Sequence, residues 1–329
     1  MRRGHWRRLG AIRILGHLLC LATLLVLPPN AALAQTYGIA TLQPGTLSHT
    51  TGSAIAKVLK EKAGVNVLVQ PTGGEITLIP MVGNAEADLG IANIAEVVNA
   101  IRGTGGAAKQ TELRLIGSIH PLRCAYFVRK DSSMKTIADL RGKRVTVGYS
   151  AMRTLDVLIG AIFATGGFTH GDVKPVLVPN VVRGAEDFLS GSADSFMFAF
   201  GGAKVREVDA SVGGIRPLEI SEAGMDAARK IFAYGYLSEV DPGPAFIGVQ
   251  QKMKVYAYDN MLFTNAKVKD DIVYKIIETM EANKADLVAV QPALRDFSAG
   301  GLFKTYDIPY HNGALKYFKD HNLEAKAIQ

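Results

Sequence analysis

From residue 37 onward, short apolar runs alternate with longer amphipathic ones. "YGIAT" (37–41) predicts a strand, and "GSAIAKVLKEKAG" (52–64) a helix ended by Gly64. Val65, Val67 and Val69 predict a second strand, "GEITLIPMVGN" a turn or two of helix, "ADLGIAN" a strand and "IAEVVNAIRG" a helix. "LRLIGSI" and "CAYFVRK" follow as strands. After Lys130, "SMKTIADLRGKRVTVGYS" gives a short helix, a basic turn and the strand Arg144–Gly148. A helix around Leu155–Thr165, the strand "PVLVP", the helix "RGAEDFLSG" and the strands "ADSFMFAF" and "IRPLEI" come next. Beyond the Pro/Gly-rich "DPGPAF" lie the strand "VYAYDNMLFTN" and two helices, Asp270–Asn283 and Asn312–Asp320.

Strands alternating with helices predict an α/β protein, its sheets mainly parallel and covered on both faces. "MVGNAEADLGIAN" and "FLSGSADSFMFAF" share an order of helix end, Gly, Ala-Asp and apolar strand, which suggests two units of common design. We expect lobe I from 35–130 and 223–329, interrupted by lobe II at 131–222.

The first 34 residues stand apart. Arg2, Arg3, Arg7, Arg8 and Arg13 precede the apolar "LGHLLCLATLLVL", and "AALAQ" offers Ala32 and Ala34 before a cut ahead of Gln35. That is the pattern of a secretory signal peptide, and it predicts export to the periplasm. Its paired arginines leave Sec and twin-arginine export both open. Removing its five arginines takes the 37 lysines and arginines to 32, against 30 acids. The net charge of the remainder is then +2, and nothing in it calls for nucleic acid. One cysteine, Cys124, is left in an apolar run, which excludes an internal disulfide and predicts a buried thiol.

In open α/β sheets, ligands bind where strands end and helices begin. Four such turns stand out: Gln43–Thr51, Pro71–Glu75, Ser150–Thr154 and Asn180–Gly184. In "VQPTGGEIT", Thr72 is a candidate helix cap, Gly73 and Gly74 could expose backbone N–H groups, and Glu75 has the wrong sign for phosphate. Ser150 is a candidate cap for the next helix. Arg153 opposes the helix dipole there, so a carboxylate clamp is a reason for its presence, with a solvated surface arginine as the alternative. Arg183 has Glu186 three residues on as a ready ion-pair partner. "GTGGAA" (103–108) follows a predicted helix instead of a strand and does not read as a dinucleotide fingerprint. His49, His120, His170, His311 and His321 lack metal-ligand spacing, so we expect no metal and no cofactor. Of these, His49 alone sits in a candidate binding loop, and His311 is expected to cap or pack the final helix.

"VLVQPTGGEITLIPMVGNAEADLGIAN", "MKTIADLRGKRVTVGYS" and the tail "IPYHNGALKYFK" together resemble the solute receptors of tripartite ATP-independent periplasmic (TRAP) transporters, in their TAXI subgroup. The resemblance spans nearly all of the chain after the leader. It implies a type II periplasmic binding protein fold: two lobes, each a mostly parallel sheet flanked by helices, joined by a hinge. It also implies a monomeric, non-catalytic receptor that closes on a small organic solute, often a carboxylate, and hands it to a TRAP-type membrane permease. Ligand contacts would fall at Thr46, Ser48, His49, Thr72, Gly73, Gly74, Glu75, Asn93, Ser150, Arg153, Thr154, Arg183 and Gly201. The subgroup usually has paired tyrosines near the place of Leu47–His49, and a serine where this chain has Glu75. Those departures suggest a solute with a cationic or donating group near Glu75 and His49 and an anionic group near Arg153. An ATP-driven (ABC-type) receptor for sulfonates or pyrimidine-like compounds shares the fold and is the alternative. A periplasmic enzyme on this scaffold would need a nucleophile–base pair or a metal, and neither is visible.

Overall fold

The computed structural model describes residues 35–328; the predicted leader at 1–34 lies outside them. The chain runs β1 (Thr36–Thr41), α1 (Leu47–Ala63), β2 (Asn66–Pro71), α2 (Glu75–Gly83), β3 (Leu89–Asn93), α3 (Ile94–Arg102) and β4 (Leu113–Arg129). It continues through β5 (Arg144–Val147), α4 (Arg153–Thr165), β6 (Lys174–Leu177), α5 (Val181–Leu189), β7 (Phe196–Ala199), α6 (Ala203–Ser211), β8 (Ile215–Pro217) and α7 (Met225–Ile231). It ends with β9 (Tyr236–Val240), β10 (Met253–Asn265), α8 (Asp270–Ala282), α9 (Lys284–Val290), α10 (Ala299–Leu302) and α11 (Asn312–Asp320). Among the described residues no helix is long and apolar enough to cross a membrane.

The fold is α/β with two hydrophobic cores. β1 pairs in parallel with β2 and β3, and β5 in parallel with β6. Two long strands, β4 and β10, pair antiparallel with each other and carry the chain through both cores. Leu113–Ile119 and Met261–Phe263 pack in the first core; Cys124–Val128 and Val255–Tyr258 pack in the second. The two cores meet inside β4 and β10, near His120 and Asn260. The predicted strands "LRLIGSI" and "CAYFVRK" are one continuous strand, with Pro121 opposite Asp259. The ladder shifts register between Asn260 and Met261, where the chain passes from one core to the other.

At that junction polar groups replace packing. His120 Nδ1 lies 3.0 Å from the Pro121 carbonyl, and its Nε2 lies 3.1 Å from Thr51 Oγ1. Burial pushes the His120 imidazole down to about 4, so it is neutral near pH 7. Nδ1–H then donates to Pro121 and Nε2 accepts. Asp259 is buried and accepts from Tyr236 Oη at 2.9 Å, from Lys304 Nζ at 2.5 Å and from the Tyr306 hydroxyl.

α1 starts five residues before the predicted glycine. Thr46 caps it, its Oγ1 accepting from the His49 N–H at 3.2 Å, so Ser48 and His49 lie in the first helical turn and not in a loop.

Candidate functional site

The N-terminal ends of α1, α2, α3 and α4 converge beside the junction of the two cores. They enclose a cavity of about 50 Å³ together with β4, β7 and β10. Apolar walls come from Leu47 and Ile91 on one side and from Met152, Leu155 and Phe198 on the other. Its polar lining is Thr46, Ser48, Glu75, Asn93, Cys124, Tyr258 and Asn260, with no lysine, arginine or histidine among the described residues. The volume exceeds what one water needs and suits a few waters or a small group.

The first turn of α2 brings Glu75 into this cavity. Gly74 precedes α2 in an extended conformation without a side-chain cap, and it meets the second core directly. A Cβ added there would stand 2.0 Å from the Ala151 carbonyl oxygen, and the Ile76 N–H approaches the same oxygen at 3.4 Å. Gly73 beside it faces open space. Thr72 is buried but does not cap α2: its hydroxyl is directed at the carbonyls of Thr41 (3.0 Å) and Gly74 (3.2 Å), so it fixes the turn.

Glu75 is 4 % exposed. Its Oε1 accepts from Asn93 Nδ2 at a long 3.5 Å, and its buried Oε2 has no partner. Desolvation, then the nearby Glu96 carboxylate, push the Glu75 carboxyl up to about 8, against the hydrogen bonds that favour its charged form. Asn93 caps α3 by accepting from the Glu96 N–H at 3.0 Å, and its amide also reaches Thr154 Oγ1 at 3.3 Å.

Glu96 is the residue that sequence reasoning missed. "NIAE" has the Asn-x-x-Glu spacing of a capping box. Its carboxylate instead reaches across to the other core and accepts from the Thr154 N–H at 2.9 Å, satisfying the N-terminal end of α4. An unused box acid was the available signal. Thr154 is buried at this contact, as expected of a residue where the two cores meet.

Several candidates lie elsewhere. Arg153 is exposed, donates from Nη1 to the Gly106 carbonyl at 2.5 Å, and does not line the cavity. The bond to the Gly106 loop gives this arginine a partner at the rim, and no anion clamp is needed to account for it. Ser150 is exposed and does not cap α4; Met152 precedes that helix, and Asp156 accepts from the Gly148 N–H at 2.8 Å. Arg183 pairs with Asp187 at 2.8 Å, one helical turn on, in place of Glu186. His49 is half-buried with a ring pushed down by desolvation, yet it lies outside the cavity lining. Thr46 and Ser48 do line it.

Gly201, with φ +84°, borders a second and open groove of about 700 Å³. Pro121 and Arg123 line that groove while Leu122 and Cys124 line the cavity, as alternation along β4 requires. Among the described residues no group of three His, Cys, Asp or Glu side chains could hold a metal ion.

A model of the NMT1-like family matches residues 39–321. Among solved structures, one of a periplasmic transporter is 13% identical, with 89% of this chain and 94% of that one covered at a TM-score of 0.57. An ancestral arginine-binding protein bound to arginine is 16% identical, with 78% and 96% covered at 0.50. The alkanesulfonate-binding protein from Xanthomonas axonopodis pv. citri bound to MOPS is 14% identical, with 80% and 84% covered at 0.49. At these identities the likeness to the first two shows the two-lobed periplasmic binding protein fold. The family match overturns assignment to the TAXI subgroup of TRAP receptors and, with it, the TRAP permease as partner.

The structure explains why the motifs misled. In the tail "IPYHNGALKYFK", His311 caps α11 by accepting from the Gly313 N–H at 3.1 Å. A Cβ on Gly313 would stand 2.2 Å from the Asp270 carbonyl oxygen, and Ala314, Tyr317 and Phe318 are buried in the first core. Those residues answer to packing, which carries no information about the membrane partner.

Proposed function

We propose, on the premise that this chain belongs to the NMT1-like family, that it is a periplasmic solute-binding protein that delivers a small molecule to an ABC-type permease. The ATP-driven alternative weighed from the sequence thus becomes the main reading, and the protein acts by binding, without catalysis. The observation that carries it is the cavity at four helix N-termini where the two cores meet, with the buried Glu75 Oε2 left without a partner among the described residues. Binding and catalytic sites in α/β sheets gather at such ends. The lobes, divided near His120 and Asn260, part by bending of β4 and β10 and close on the solute, which touches both. Glu75 and Asn93 contribute from one side, Met152, Leu155 and Phe198 from the other.

Native mass spectrometry of the exported protein, as purified and after refolding, tests this. A small molecule that leaves on refolding and restores thermal stability when returned is expected. Identical spectra, with no stabilising component in a cell extract, would sink the reading.

A further inference from the structure

We propose that the cavity takes the ammonium group of its solute, held by Glu75, and that binding expels the Glu75 proton to solvent. The inference rests on the solute-binding reading and goes further by naming the charge of the solute. The first ground is the orphaned Oε2, buried and part of the cavity lining. Ionised, Glu75 has an acceptor with no donor; protonated, it has an O–H with no acceptor. Either state leaves a buried hydrogen bond unmade, which a solute can supply.

The second ground decides between a donating and an accepting solute. The donors of the other lining side chains are largely spent. The Thr46 hydroxyl donates to the Gln43 carbonyl at 2.7 Å and the Ser48 hydroxyl to the Ile91 carbonyl at 3.2 Å. The Asn93 amide is directed at Glu75 and Thr154, and Asn260 Nδ2 lies 3.4 Å from His120 Nε2. Among the lining side chains what remains is mostly acceptor capacity, with the Tyr258 hydroxyl and the Glu75 O–H of the empty site as the uncommitted donors among the described residues.

Charge gives the third ground. The groups around Glu75 are Glu96 on α3, Tyr258 on β10, Cys124 on β4, and Thr46 and Ser48 on α1. From α4 comes Thr154, while Arg153 is turned to the Gly106 carbonyl. Among the described residues no cation lines the space, and the Glu96 carboxylate is close enough to raise Glu75. An anionic solute would meet the Glu96 charge in a site of low dielectric; an ammonium offsets it. The empty site holds its proton near neutral pH because burial and Glu96 raise Glu75. A bound ammonium favours the carboxylate, so the proton leaves for water while the solute keeps its own charge. The small volume and the walls of Leu47, Leu155 and Phe198 suit a short apolar body beside that group.

Calorimetric titration of the mature protein with n-alkylammonium chlorides, methyl to butyl, from pH 6 to 9, beside the matching alkylcarboxylates and alkylsulfonates, tests the inference. Ammonium binding is expected to tighten by about tenfold per pH unit up to pH 8 and then level, as release of one proton requires. Glu75→Gln is expected to lose at least tenfold of that affinity and all of its pH slope, with Glu75→Asp intermediate. Binding of the carboxylates or sulfonates in preference, weakening as pH rises, would overturn the ammonium and leave the solute-binding reading standing. So would ammonium binding that Glu75→Gln does not change, or no ammonium binding by a protein that carries a co-purified solute. A protein with neither a co-purified solute nor a responsive probe loses the reading and the inference together.

Discussion

Glu75 should make the empty protein less stable as pH rises, and Glu75→Gln should remove that dependence. The carboxyl has an ordinary value of 4.5 and is raised to about 8 in the fold. Below pH 4.5 it is protonated whether the chain is folded or not, and it contributes no pH dependence. Between 4.5 and 8 the unfolded chain ionises while the native one keeps its proton, so unfolding releases a proton and stability falls with pH. At 1.36 kcal/mol per unit the penalty is about 3 kcal/mol at pH 7 and about 5 kcal/mol above pH 8. His120 works in the opposite sense: its folded value of about 4 lies below the ordinary 6.5, so it raises stability as pH climbs from 4 to 6.5. The wild-type curve alone therefore mixes the two, and the difference between wild type and variant isolates Glu75.

Glutamine has nearly the same volume, and its amide brings hydrogens that lack acceptors, so a net gain of about 2 kcal/mol at pH 7 is expected. With an unfolding entropy of roughly 2.1 cal/mol/K per residue over about 290 residues, that is a rise of about 3 °C in Tm. The assay is thermal unfolding by circular dichroism at half-unit steps from pH 4.5 to 9, on solute-free protein. A difference that is flat across pH 5 to 8, or that favours the wild type as pH rises, would refute the reasoning.

Two further outcomes follow from other buried groups. Asp259→Asn leaves Lys304, whose side chain is 14% exposed, without its carboxylate; a loss of about 3–5 kcal/mol is expected in urea denaturation, and a loss below 1 kcal/mol would show that the Tyr236–Asp259–Tyr306 network carries little. Burial pushes the Cys124 thiol up to about 12, so an aromatic disulfide reagent at pH 8 should label it only after unfolding, and rapid labelling of native protein would contradict its enclosure.

The fold was legible because its signals are local. Alternation at Val65–Val69, Gly64 after the first helix and Asn93 before "IAEVV" each act within a few residues. The structure bears out the first helix stop, with Gly64 following α1 at φ +66°, and it shows Asn93, expected only as a ligand contact, capping α3. The continuity of β4 and the ion pairs were not legible, since they depend on contacts between distant residues. Arg153 shows the limit well. Its place at a helix start called for an anion, but the carbonyl it uses lies 47 residues away. Glu96 is the converse case, a cap-box acid whose partner is 58 residues off. The TAXI resemblance failed for a related reason: the tail that suggested it is conditioned by a helix cap and a buried aromatic cluster.

Gly74 has a consequence for which solutes are admitted. With no side chain, it lets the backbone before α2 reach the Ala151 carbonyl, so the distance between α2 and the turn before α4 is set there by main chain on main chain. That contact is a hard stop. A solute that would hold the two backbones apart forfeits it whatever its charge, and a smaller one gains nothing by drawing them closer. Selection by length can thus be exerted by a residue that need not touch the solute, while Glu75 next to it reads the charge.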